Sequence, residues 1–124
     1  MLIIRKEHKQ AFSKAVMENF ECRIYAHVTR IWPEQCKRLE ETAVRELIRR
    51  GIREALDFGI DEEYEVSRYV DLMFILSPDF STSDRFPWAA AVLKDAAMKP
   101  AAKMDRLYER AEKELRASRR DRPS

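Results

Sequence analysis

Glycine is nearly missing from this chain, with two in 124 residues, and that scarcity excludes more chemistry than any residue present suggests. Loops that cradle phosphate need several glycines so that backbone N–H groups can approach the ligand, so no P-loop or dinucleotide fingerprint can be built. Cysteine is equally sparse. Cys22 and Cys36 are separated by thirteen intervening residues and have no CxxC partner, which rules out zinc-ribbon and thioredoxin-like readings. They fit helix positions in a reducing compartment, and one disulfide in an oxidising compartment is the alternative. The two histidines, His8 and His27, lie nineteen residues apart and cannot form an HExxH pair. The apolar run in MLIIRKEHKQ is only four residues long, which points away from a signal peptide or membrane span and towards the cytoplasm.

Charge, by contrast, is plentiful, at 37% of residues, and apolar residues make up 45%. With so few turn-forming glycines, this balance favours helices with solvated outer faces over a sheet. The length suits a single core. Of 24 basic and 22 acidic residues, 8 and 5 fall in positions 101–124, leaving 16 and 17 before them. The body is thus near neutral, and the basic end RASRRDRPS reads as a helical domain over 1–118 followed by a basic flexible tail over 119–124. A body without a basic face argues against a nucleic-acid partner.

The periodicity predicts five or six helices in one all-α, bundle-like domain. From Glu7 to Trp32, Phe12, Val16, Phe20, Ile24, Val28 and Ile31 advance by three or four residues, placing one apolar stripe on a long helix. Pro33 ends that helix by pushing Trp32 out of helical geometry, and can itself open the next. Leu39, Ala43, Val44, Leu47, Ile48, Ile52, Ala55 and Leu56 mark the second helix. Gly51 within it implies a close neighbouring helix, and Gly59 a left-handed end. Asp61 reads as the N-cap of a third helix carrying Val66, Tyr69, Val70, Met73 and Phe74. Its segment YVDLMFIL, apolar on nearly every side, is expected at the centre of the bundle, a buried strand being the alternative. Pro87 and Trp88 open a short helix presenting Trp88, Ala91 and Val92. Pro100 begins the last, with Met104, Leu107, Tyr108, Ala111 and Leu115 inward and a Glu109/Lys113 pair outside.

No catalytic motif emerges, and the chain is read as a non-enzyme without cofactor or metal. Cys22 and His27 differ by five residues, about 140° around a helix, too far apart for a nucleophile and its base. Asp71, Asp79 and Asp84 match no metal-loop spacing. Asp71 is expected to pair with an arginine, and Asp79 and Asp84 to serve as turn and cap residues. What remains is the polar, aromatic loop SPDFSTSDRFPW from Ser77 to Trp88. Its rings either pin the loop to the core or form a recognition surface. On the second reading Phe80, Arg85, Phe86 and Trp88 are the candidate partner-binding residues, since aromatic and arginine anchors among polar residues typify protein interfaces.

Taken in order, Trp32-Pro33-Glu34-Gln35, Gly51 through the FGI at 58–60, YVDLMF at 69–74, Asp79-Phe80, FPWA at 86–89 and MDRLY at 104–108 resemble a family of small helical proteins encoded in bacterial type VI secretion gene clusters. Their neighbours there are VgrG-type spike proteins, PAAR-tip effectors and adaptor chaperones. The resemblance spans Phe12 to about Tyr108. It departs from the family in the loop, where Ser81, Thr82 and Ser83 replace a more acidic run. It implies a non-catalytic chaperone, co-chaperone or adaptor that helps load or stabilise an effector, with that effector, an adaptor or the spike protein as partner. The competing expectations are an immunity protein neutralising a neighbouring toxin, and a small nucleic-acid-binding regulator using Arg45, Arg49, Arg50, Arg53 and the tail.

Overall fold

The computed structural model describes residues 14–121, with side chains as far as residue 117. Among these residues the protein is all-α, a single bundle of five helices: α1 (Lys14–Ile31), α2 (Pro33–Asp57), α3 (Glu63–Ile75), α4 (Pro87–Leu93) and α5 (Pro100–Asp121). Expectations placed on Glu7, His8 and Phe12 lie outside the described residues. Helix α5 runs past the 118/119 boundary drawn from sequence, and residues 122–124 lie outside the description. No described helix is long and apolar enough to cross a membrane.

Helix α3 is the hub, packing against α2 on one side and α5 on the other, while α1 rests chiefly on α2 and α4 on α5. Val66, Tyr69, Val70, Leu72 and Met73 are buried almost completely, as a central helix apolar on most sides requires. The closest approach to α2 is at Gly51. A Cβ there would stand 2.7 Å from Met73 Sδ and 2.9 Å from Val70 Cγ2, so only the missing side chain lets the two helices come this near. Gly59, at φ +82°, closes α2 in the left-handed conformation.

Several positions depart from the sequence reading. The stripe of α1 buries Phe20, Ile24 and Val28, yet Val16 and Ile31 at its ends are exposed, as are Leu39 on α2 and Leu115 on α5. On α4 the buried residues are Ala89 and Leu93. Trp88 and Val92 are only partly covered, and Ala91 is exposed. The cap of α3 is Glu62 rather than Asp61, and the Glu62 side chain makes no capping hydrogen bond. Helix α2 is bent at Glu40, whose φ of 70° and ψ of 160° is a backbone conformation that disfavours any side chain.

Lys103 is buried on the inward face of α5, where the sequence suggests only apolar residues. Its ammonium donates to the carbonyls of Phe58 and Leu93, each at 2.9 Å, and so joins the C-terminal ends of α2 and α4. Carbonyls at helix C-termini lack intrahelical partners and carry the negative end of the helix dipole, which makes a cation the matching group.

Candidate functional site

Two places bring polar side chains together: the loop between α3 and α4, expected from sequence, and a groove between α1 and α3, which was not. The loop folds through successive turns. The amides of Thr82 and Ser83 donate to Asp79 O at 3.0 and 2.9 Å, Phe80 N donates to Ser77 O at 3.1 Å and Phe86 N to Ser83 O at 3.1 Å. Arg50 of α2 fixes the loop from outside, donating to Pro78 O and to Asp79 Oδ1 at 3.1 Å while also pairing with Glu54. From inside, the Phe80 ring packs on Tyr69 at 5.0 Å, and Tyr69 donates its hydroxyl to Glu54 Oε1 at 2.8 Å. Burial pushes the Tyr69 phenol well above its ordinary range. Asp79 is therefore the partner of an arginine on another helix, beyond the local turn role assigned to it.

Of the four candidate partner-binding residues, Phe80 and Phe86 belong to the core, at 0% and 5% exposure. Little of either ring is therefore open at the surface of the folded protein. What the loop offers outward is Arg85, which is exposed and lies over Phe86 at 5.2 Å, and the uncovered part of Trp88, edge-on to Phe86 at 5.9 Å. Arg110 of α5, which sequence reasoning missed, lies over the Trp88 ring at 5.5 Å.

The groove between α1 and α3, of about 690 Å³, is lined by Phe20, Ile24 and His27 of α1 and by Tyr64, Ser67 and Asp71 of α3, among others. Two links cross it. Arg23 pairs with Glu63 at 2.7 Å, and His27 Nε2 donates to Asp71 Oδ1 at 2.9 Å. An ionised carboxylate can only accept, so in that state of Asp71 the His27 proton sits on Nε2. Asp71 is thus paired with a histidine where an arginine was expected. Burial raises its carboxyl above the usual range, and His27 offsets part of that rise.

Beside the groove, Arg68 donates to Glu65 at 3.2 Å and Asp105 at 2.9 Å, and packs over Tyr108 at 4.6 Å. Tyr108 returns a hydrogen bond from its hydroxyl to Arg68 O at 3.0 Å. Glu65, almost wholly buried, has its carboxyl raised by burial against the pull of Arg68. Ser67 lines the groove one turn before Asp71, but no hydrogen bond joins it to His27. Cys22 is exposed, Cys36 is buried and both are free thiols. No cluster of three or more metal-ligating side chains occurs among the described residues.

The arginines of α2 are largely committed within the chain. Arg45 pairs with Glu41 at 3.2 Å, Arg49 with Glu21 at 3.1 Å and Arg50 with Glu54 at 3.1 Å, so the stripe available to a phosphate backbone is mostly neutralised. Compared with known proteins, the chain matches no family model, no curated protein and no solved structure.

Proposed function

We propose that the protein is a non-catalytic accessory of type VI secretion, a chaperone, co-chaperone or adaptor that binds an effector, its adaptor or the spike protein through the surface around the 77–88 loop. The resemblance of the sequence to small helical proteins of those gene clusters supports this reading. One structural observation carries it furthest. The loop is tied down by Arg50 and by the buried Phe80 ring, yet leaves Arg85 and part of Trp88 facing outward. An arginine on a pinned loop beside a tryptophan in the first turn of α4 suits protein recognition, because little conformational entropy remains to be lost on binding.

The test is affinity capture of the tagged full chain from a bacterium that encodes it, at moderate salt, with mass spectrometry of what co-purifies. Recovery of an effector with an adaptor or spike component is the expected result. Capture of a toxin alone, together with loss of its toxicity, would replace this reading with an immunity role. Nucleic acid that dissociates steeply as salt rises would replace it with a regulatory one.

A further inference from the structure

Arg85 and Arg110 differ from the arginines that tie the bundle together through ion pairs. Arg50, Arg68, Arg106 and Arg116 each reach a carboxylate, at 3.1, 2.9, 3.6 and 2.5 Å. Arg85 and Arg110 reach none among the described residues, although Glu114 stands one turn beyond Arg110 on the same helix face. Each guanidinium lies instead over one ring of a touching pair, Arg85 on Phe86 and Arg110 on Trp88. Stacking of this kind acts through the ring face and leaves the in-plane N–H groups of the guanidinium able to donate. Two donors of this cluster, Trp88 Nε1 and the Nε of Arg110 itself, are covered by protein and have no acceptor among the described residues. Buried donors are nearly always satisfied, so a cluster with two open ones is incomplete.

We propose that Arg85, Trp88 and Arg110 form a binding site for an acidic segment of a partner protein, whose carboxylates pair with the two guanidiniums. This rests on the reading of the loop as a contact surface, and adds the chemistry of what binds there. A planar guanidinium fork matches a carboxylate bidentately. The local positive field is also small, because the neighbouring Arg106 and Arg116 are neutralised by Glu109 and Glu112, which suits one or two carboxylates better than a polyanionic backbone.

The experiment is a titration of the ¹⁵N-labelled full chain with N-acetyl hexaglutamate, followed at the indole and arginine Nε resonances. The expected result is a saturable shift shared by Trp88, Arg85 and Arg110, with the Trp32 indole unmoved and no response to hexalysine. Arg85→Gln combined with Arg110→Gln weakens binding at least about tenfold, as loss of charge-assisted hydrogen bonds predicts. Arg53→Gln leaves it unchanged. Should the glutamine variant disturb packing on Trp88, Arg110→Lys keeps the charge but not the fork, and is expected to bind several-fold more weakly. Absence of a saturable shift, an equal shift at Trp32, or the same response to inorganic phosphate overturns the proposal. If the double variant captures the same cellular partner as the wild type, the acidic site is wrong and the accessory role stands. If the wild type captures no secretion component, that role falls, whatever the peptide does.

Discussion

Helices α2 and α4 begin in the same way and meet different surroundings. Each opens on proline at its first position, preceded by an aromatic residue with nearly the same backbone angles: Trp32 at φ −125°, ψ 63° and Phe86 at φ −129°, ψ 61°. Neither start has a side-chain cap, because tryptophan and phenylalanine carry no side-chain acceptor for the amides of the first turn, and proline at the first position leaves one fewer of those amides unpaired. At the first corner, α1 runs directly into α2, and Trp32 stacks almost parallel on Phe74, 5.3 Å away, with His27 at its edge. At the second, an eleven-residue connection precedes the proline and the ring is swallowed by the core. An aromatic residue before proline therefore fixes how a helix starts, while the chain packed around it decides whether the ring becomes a bracket on the surface or part of the interior.

Substitution at the two rings separates these roles. Phe86→Ala should cost about 3–5 kcal/mol, the usual range for a buried phenylalanine, and Trp32→Ala about 2 kcal/mol, since part of that ring is already in water and the stack itself is worth roughly 1 kcal/mol. Urea denaturation of the two variants checks the order, and equal losses would mean that the corners are equivalent. Because α2 and α4 also end at one ammonium, Lys103→Met should cost about 3 kcal/mol through two lost charge-assisted bonds and two stranded carbonyls. A loss of thermal stability no larger than that of an exposed lysine variant would show that each helix closes without it.

The next two tests concern only the first corner. Glu40→Gly relieves a backbone conformation foreign to a side chain and should stabilise the protein by about 1 kcal/mol, after the added freedom of glycine in the unfolded chain is subtracted. A loss of stability would mean that the bend of α2 carries no strain. The smallest effect is expected at Asp71. Its folded carboxyl is raised above the unfolded value, so the folded state holds the proton more tightly. This group therefore weighs against folding at neutral pH, and the penalty is relieved as pH falls through the folded value towards its ordinary 3.8. Asp71→Asn should change stability at neutral pH by less than about 1 kcal/mol and remove that gain on acidification. Melts of both proteins between about pH 4 and pH 7 measure it, and parallel pH profiles would refute the assignment.

Much of the fold could be read from the sequence because its punctuation is local. Pro33, Pro87 and Pro100 mark three helix starts, Gly59 marks an end, and Gly51 marks the helix crossing. Periodicity tells which face of a helix is apolar but not how far a neighbour extends over it, and so Val16, Ile31 and Leu115 were placed inside and are exposed. The cap of α3 was misplaced by one residue because Asp61 and Glu62 offer similar chemistry to the same turn. The candidate site was half legible. Its aromatic residues stood out, but Phe80 packs on Tyr69 of another helix, and Arg110 reaches Trp88 from a helix far along the chain. His27 and Asp71 are 44 residues apart, a pairing that no spacing rule could suggest. Lys103 looks, in sequence, like any solvated lysine.

That lysine also fixes a measurement of length. One atom, Nζ, is held 2.9 Å from the last carbonyls of two helices that lie far apart in the chain. Adding a residue to the final turn of either helix would swing its carbonyl through about 100° and advance it about 1.5 Å, out of reach of the ammonium. Insertions and deletions therefore belong in the 94–99 connection or the 77–86 loop, where turns can absorb them. Within α2 and α4 the number of residues behaves as a fixed dimension, gauged at the C-terminal end of each by a side chain from a third helix.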